Sequence, residues 1–188
     1  MMRIITGAAR GCRLETLQGE DTRPTAERVK EAVCSALQFE IEGRAVLDLF
    51  AGSGQMGLEM LSRGAAGCVF VDKSPEAAAV IRRNLNAVAR REPSLSGNAQ
   101  VLSTDALAYL RRTKDRFDIA LLDPPYAAGL LAPALEGTAE RMNPGGVIVC
   151  ESDAGLPLPE RAGDYRLART YRYGRVLLRL YRWDGGAE

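Results

Sequence analysis

Two stretches of this chain hold residue types that can do chemistry. The first is Asp123-Pro124-Pro125-Tyr126, which follows the apolar run 119–122. That run reads as a buried strand, so the tetrapeptide stands where a strand ends and a loop begins. Open α/β sheets place their chemistry at such carboxyl ends. The two prolines fix φ and donate no N–H, which leaves a stiff loop with a carboxylate at one end and an aromatic ring at the other. Asp123 and the Pro124 carbonyl can accept hydrogen bonds from an exocyclic amine. Tyr126 can stack on the ring that bears the amine. Four residues alone fit a plain strand-terminating turn with a solvated Asp123 equally well.

The second stretch is Asp48-Leu49-Phe50-Ala51-Gly52-Ser53-Gly54-Gln55-Met56-Gly57, a G-x-G-x-x-G through Gly52, Gly54 and Gly57. A predicted strand precedes it and a predicted helix follows, which is the context such a turn needs in order to bind a nucleotide. Asp72 ends the next strand, where an acid can hold two ribose hydroxyls. Thus far the pattern fits NAD and S-adenosylmethionine (SAM) alike. Asp48 separates them. A pyrophosphate on a helix N-terminus wants a turn free of anions, whereas a carboxylate there suits the ammonium of SAM. Thr104-Asp105 follows the third strand, at a place where the adenine amine can be held. Asp48 as a buried, hydrogen-bonded acid and Asp105 as a helix N-cap remain open.

Composition narrows the chemistry further. The chain has no histidine, which excludes Ser–His and Cys–His nucleophile systems and His-ligated metals. Its four cysteines (Cys12, Cys34, Cys68, Cys150) are far apart and form no CxxC pair, so reduced thiols are expected and no metal site. A net charge of +1 gives no global polyelectrolyte signal. No apolar run approaches a membrane span, and the N-terminus lacks a signal-peptide core, so a cytoplasmic protein is expected.

The elements that must position these residues follow from the hydrophobic pattern. Residues 1–22 read as a small β arm outside the main sheet, with Arg3, Arg10 and Arg13 and no acid before Glu15. Pro24 and Thr25 open a helix that carries Val29, Ala32, Val33, Ala36 and Leu37 at helical spacing. Arg23 and Arg28 flank its start, where the macrodipole disfavours cations. They await an anion, or Glu27 and Glu31 offset them. From residue 44 strands and helices alternate: strands at 45–50, 68–71, 99–102, 117–122 and 147–150, with helices between. The last of these helices, 130–142, is stopped by Asn143-Pro144-Gly145-Gly146. Such alternation means a parallel, doubly wound sheet. The ending differs. Runs 165–172 and 175–183 have no helix between them and form a hairpin, so one strand there must be antiparallel. Seven arginines face a single acid, Asp164, between Arg161 and Arg182. Arg175 and Arg179 share one face of the second run, either protecting an edge strand or facing a polyanion. A terminal hairpin is foreign to the all-parallel dinucleotide sheet and again favours SAM.

The sequence resembles the class I SAM-dependent methyltransferases, and among them the bacterial 16S rRNA guanine-N2 methyltransferases of the RsmD type. Arg23-Pro24-Thr25 with Arg28 and Glu31, the 48–54 turn with Gly57 and Glu59, Ser62-Arg63-Gly64-Ala65, Asn84-Leu85, Asp123-Pro124-Pro125-Tyr126 and Tyr173-Gly174 carry the likeness over nearly the whole chain. Cys34-Ser35 departs from a Phe-Asn pair usual in the family. The resemblance implies one domain over 1–188 with a β arm at 1–22 and a Rossmann-like core at 23–188. That core is an α/β, seven-stranded, mostly parallel sheet with a C-terminal antiparallel hairpin. The resemblance also implies SAM as cofactor, bound by Asp48, Phe50, Ala51, Gly52, Ser53, Gly54, Gly57, Asp72, Lys73, Asp105 and Ala106, with S-adenosylhomocysteine as product. Asp123, Pro124, Pro125 and Tyr126 are the implied catalytic residues. Arg3, Arg10, Arg23, Thr25, Arg28 and Arg175 would contact 16S rRNA or the small ribosomal subunit, and a monomer is expected. The Asp-Pro-Pro-Tyr loop is shared with adenine-N6 methyltransferases, so the guanine assignment rests on the family likeness. The competing readings are an adenine-N6 enzyme, a non-catalytic RNA-binding assembly factor, and an NAD-dependent dehydrogenase.

Overall fold

The computed structural model describes residues 2–17, 24–95, 97–125 and 129–185. Among these, the elements run α1 (Pro24–Ala36), β1 (Ala45–Leu49), α2 (Gln55–Ser62), β2 (Gly67–Asp72), α3 (Pro75–Ala89), β3 (Ala99–Ser103), α4 (Ala106–Arg112), β4 (Phe117–Leu122), α5 (Leu131–Ala139), β5 (Met142–Asp153), β6 (Arg161–Ala162), β7 (Tyr165–Tyr173) and β8 (Val176–Trp183). They form one sheet in the order β3-β2-β1-β4-β5-β8-β7-β6. The first five strands pair in parallel, and β8 and β7 are antiparallel to their neighbours. The predicted seven strands are joined by an eighth, the two-residue β6 on the edge of β7.

The central strands read as unbroken apolar runs because both faces are covered. One face packs against α1, α2, α3 and the N-terminal arm through Val46, Ile119, Leu121, Val147 and Val149. The other packs against α4 and α5 through Leu47, Leu49, Ala120, Leu122 and Ile148. The helix starts are written locally. Ser74 Oγ accepts the Ala77 N–H at 3.2 Å with Pro75 at the first helical position, and Asp105 caps α4.

Two expectations are corrected. The helix predicted over 130–142 ends at Ala139, and Asn143-Pro144-Gly145-Gly146 lies inside β5 rather than stopping a helix. Met142 already pairs with Phe117, the β4–β5 register shifts between Phe117 and Ile119, and Asn143 Nδ2 donates to Asp118 Oδ1 at 2.9 Å. Gly145 takes φ 79 within this irregular stretch, so a local turn signal is absorbed as a bulge in a long strand. The second correction concerns β8, which lies between β5 and β7 and is no edge. Arg179 is therefore turned inward. It is 9% exposed, bonded to Ser152 Oγ, and 2.8 Å from the Leu156 carbonyl, so it faces no polyanion.

The arm forms outside the sheet as expected, around an Arg3–Arg13 bridge. Its Met2, Ile4, Cys12 and Leu14 side chains are buried in the core on the α1–α3 side. All four cysteines are buried free thiols. Burial pushes Cys34 up to about 11 and Cys150 to about 12, which keeps them protonated and inert. Among the described residues no helix is long and apolar enough to cross a membrane.

Candidate active site at the carboxyl ends of the strands

Strand order reverses between β1 and β4. Open α/β sheets leave a crevice at such a switch point. The chain leaves β1 there through a strained turn. Phe50 (φ 68), Gly52 (φ 53) and Gly54 (φ 78) all occupy the left-handed region, and Phe50 is the non-glycine among them. Such strain costs about 1–3 kcal/mol and clusters at functional sites. The Val71 carbonyl holds the turn by accepting the N–H groups of Phe50 and Ala51 at 2.9 and 3.0 Å. Gly57 serves close packing. A Cβ there would lie 2.3 Å from Phe70 Cε1 and 2.7 Å from Cys68 Sγ. Gly57→Ala is therefore expected to cost about 1–3 kcal/mol by overpacking and to loosen cofactor binding. Chemical denaturation with and without the cofactor measures both, and an unchanged midpoint would show slack at this contact.

Three carboxylates lie at the carboxyl ends of β1, β2 and β3. Asp48 is 5% exposed, and its Oδ2 accepts the Gly57 N–H at 2.8 Å. Asp72 accepts the Gly52 N–H at Oδ2 (2.9 Å) and the Ser74 N–H at Oδ1 (2.8 Å). Asp105 Oδ1 accepts the Ala108 N–H at 2.8 Å. The readings left open for Asp48 and Asp105 are thus realised: a buried hydrogen-bonded acid and a helix N-cap. Lys73 is exposed beside Asp72, and Ala106 is buried at the first residue of α4. Ser53 is buried, and its carbonyl accepts from Asn84 Nδ2 at 2.9 Å.

Register aligns the strand ends. Leu49 pairs with Val71 on one side and Leu122 on the other, and Leu122 pairs with Cys150. Phe50 and Asp123, the first residues past β1 and β4, therefore stand level with Asp72, the last of β2, and with Glu151, two residues before the end of β5. At a strand spacing of ~4.8 Å, Asp123 stands one strand from the Phe50 turn and about 10 Å from Asp72. Asp123 and Pro125 are exposed and Pro124 is buried. Pro124, Pro125, Leu130, Glu151 and Leu156 line a small cleft. Tyr126 lies outside the described residues.

The basic residues divide. Arg28 is exposed on α1, and the α1 backbone includes Thr25. The Thr25 side chain and Arg23 lie outside the described residues. Arg175 sits at the β7–β8 tip with its side chain 91% exposed, 3.5 Å from Asp153, which ends β5 on the same side as Asp123. Arg3 lies midway along α1, where its carbonyl accepts from Lys30 Nζ at 3.3 Å. The Arg10 carbonyl accepts from Arg91 at 2.9 Å, just past the far end of α3. Fifteen helical residues at 1.5 Å each put it about 22 Å below the strand ends, so Arg10 is not brought to the site.

Two residues with larger structural roles were not singled out for them. Glu59, fully buried, accepts the N–H groups of Ile5 (2.8 Å) and Thr6 (2.9 Å) and pairs with Lys30 (3.4 Å) and Arg63 (3.2 Å). Asn84, 1% exposed, joins Glu15 of the arm to Ser53 of the turn. A lone polar residue on an otherwise apolar helical face was the available signal in each case.

The model of the family described as Conserved hypothetical protein 95 matches residues 2–182. Ribosomal RNA small subunit methyltransferase D of Escherichia coli is 32% identical over 193 residues, spanning 100% of this chain and 92% of that protein. The chain belongs to the RsmD family. The solved structure of Escherichia coli yhhF matches at 30% identity with a TM-score of 0.84, covering 98% of this chain and 99% of that one. A second, the T. thermophilus 16S rRNA N2 G1207 methyltransferase (RsmC) in complex with AdoMet and guanosine, matches at 25% identity with a TM-score of 0.70. It covers 89% of this chain and 45% of that one. This RsmD-family chain thus has the class I methyltransferase fold, with the glycine turn and the Asp123 loop at adjacent strand ends.

Proposed function

We propose that this RsmD-family chain, a SAM-dependent methyltransferase of small-subunit rRNA, methylates the exocyclic N2 amine of a guanine in 16S rRNA on an assembled or assembling subunit. The observation that carries the reading is the Leu49–Leu122 pairing, from which Asp123 leaves the sheet beside the Phe50 turn. RsmC, solved with AdoMet and guanosine, supports the base assignment.

The donor set around the turn fits SAM. A pyrophosphate needs free backbone N–H groups at the helix start. Here the Gly52 and Gly57 N–H groups are already taken by Asp72 and Asp48. What the turn offers a ligand is carboxylate, which suits a sulfonium and an ammonium. An ionised carboxylate oxygen accepts more than one hydrogen bond, so Asp72 can take ribose hydroxyls while holding Gly52. Asp48 faces the amino-acid part through the turn it supports, and Asp105 with Ala106 borders adenine. These are also the features that disfavour NAD.

SAM supplies a methyl group on a positively charged sulfur; the amine nitrogen takes the methyl and sulfur keeps the bonding pair. The chain does the rest by positioning and electrostatics. The base is unstacked into the loop after β4. Its amine is a poor nucleophile, because its lone pair is delocalised into the ring. Asp123 and the Pro124 carbonyl accept its two N–H bonds, which favours a pyramidal nitrogen. Asp123 also stabilises the positive charge that develops and takes the departing proton towards water.

The test is transfer of isotope-labelled methyl from SAM to small ribosomal subunits and to free 16S rRNA, with the product nucleoside identified by mass. N2-methylguanosine is expected. N6-methyladenosine would move the chain to the adenine enzymes, and SAM binding without any transfer would make it an assembly factor. Arg28→Ala is expected to weaken RNA binding and lower the slope of log K against log salt by about one, with SAM affinity intact. An unchanged slope would show that Arg28 is structural.

A further inference from the structure

We propose that Glu151 selects guanine over adenine by accepting the N1–H of the target base beside Asp123. The inference rests on the guanine-N2 reading above and adds the group that enforces it. Three observations converge on Glu151. Leu122 pairs with Cys150, so Asp123 and Glu151 are the next residues on adjacent parallel strands, with backbones roughly 5 Å apart. Alternation along β5 puts Glu151 on the face of Val147 and Val149, and Asp123 continues the alternation of Ile119 and Leu121, which belong to the same core face. Glu151 is also half-buried, two residues before β5 ends.

Each of these carboxylates accepts hydrogen bonds without donating any, so a base held by both must offer adjacent donors. Guanine has this edge: N1–H lies beside the N2 amine. Adenine offers its N6 amine beside a bare N1 lone pair, which would point at a carboxylate. Asp123 alone holds any planar amine, as the shared Asp-Pro-Pro loop implies. Glu151 beside it makes the neighbouring ring atom count. A flipped base is read in this way, through hydrogen bonds to its Watson–Crick edge. A site built around one such bond rejects the analogue that lacks the donor far more strongly than apolar contacts can.

The experiment uses small subunits reconstituted with either guanine or 2-aminopurine at the mapped target nucleotide. 2-Aminopurine keeps the amine but has a lone pair at N1. The wild-type protein is expected to prefer guanine by about 100-fold or more in kcat/KM. In Glu151→Gln the side-chain amide can donate to that lone pair, so the preference is expected to shrink at least tenfold, with SAM affinity unchanged. Glu151→Asp, which keeps an acceptor, should retain a preference for guanine. If Glu151→Gln lowers both rates in step and leaves the ratio intact, Glu151 is structural and the inference is overturned. If the wild-type protein accepts both bases equally, it is overturned without any variant. Absence of N2-methylguanosine from the guanine substrate would instead remove the parent reading.

Discussion

Asp123→Ala is expected to lower kcat by two or more orders of magnitude while leaving SAM affinity almost unchanged. The loss corresponds to one strong, oriented contact of ~3 kcal/mol in the transition state. The split between kcat and cofactor binding follows from position. Asp123 follows the last residue of β4, one strand away from the turn that Asp48 and Asp72 hold. Removing its carboxylate disturbs none of those bonds, but the amine loses the acceptor that aims its lone pair. Single-turnover kinetics with labelled methyl donor, together with calorimetry for SAM, separate the two effects. Near-normal turnover would take Asp123 out of the mechanism.

Glu59→Ala is expected to give the largest loss of stability, about 3–5 kcal/mol, the usual cost of removing one partner from a buried ion pair. At this chain length that is a fall in Tm of roughly 10 °C. Lys30, itself 3% exposed, would be left as an uncompensated buried cation, and the N–H groups of Ile5 and Thr6 would lose their acceptor. The effect has a sign in pH. Burial pushes the Glu59 carboxyl up, but the Ile5 N–H, Lys30, the Thr6 N–H and Arg63 outweigh it and hold it below the ordinary glutamate value. A group depressed in the folded state contributes stability that is present above its unfolded pKa and lost as pH falls through the folded one. The gap between wild type and Glu59→Ala should therefore be full at neutral pH and narrow under acid, below the ordinary glutamate range. Urea denaturation across pH checks this, and a gap independent of pH would show that the carboxylate charge is not what holds the arm.

What could be read in advance followed from local pattern. The alternation of strands and helices, the Ser74-Pro75 start of α3, the Gly52–Gly57 turn and the strand-end position of Asp123 are each set within a few residues, and each stands where its pattern put it. The misread parts depend on distant partners. Whether β8 is an edge depends on β5 and β7 flanking it, and that decides whether Arg179 meets solvent or Ser152. Asn143-Pro144-Gly145-Gly146 carries strong turn chemistry, but pairing with β4 overrides it. Where Arg10 sits also depends on distant partners: the arm is fixed by Glu59, Ser62 and Arg91, which hold the Arg10 backbone at the end of α3 away from the strand ends. At the turn, the sequence left Asp48 as either a ligand contact or a buried acid. Its bond to Gly57 realises the second, and the acid that builds the helix start takes that N–H from any phosphate.

The most direct measurement is a crystal structure of the chain with S-adenosylhomocysteine and guanosine. The account predicts the nucleoside product along the Phe50–Gly57 turn, its ribose on Asp72, and the guanine N2 within about 3 Å of the Asp123 carboxylate. Guanosine bound elsewhere, or its amine turned away from Asp123 with the cofactor product in place, would contradict it.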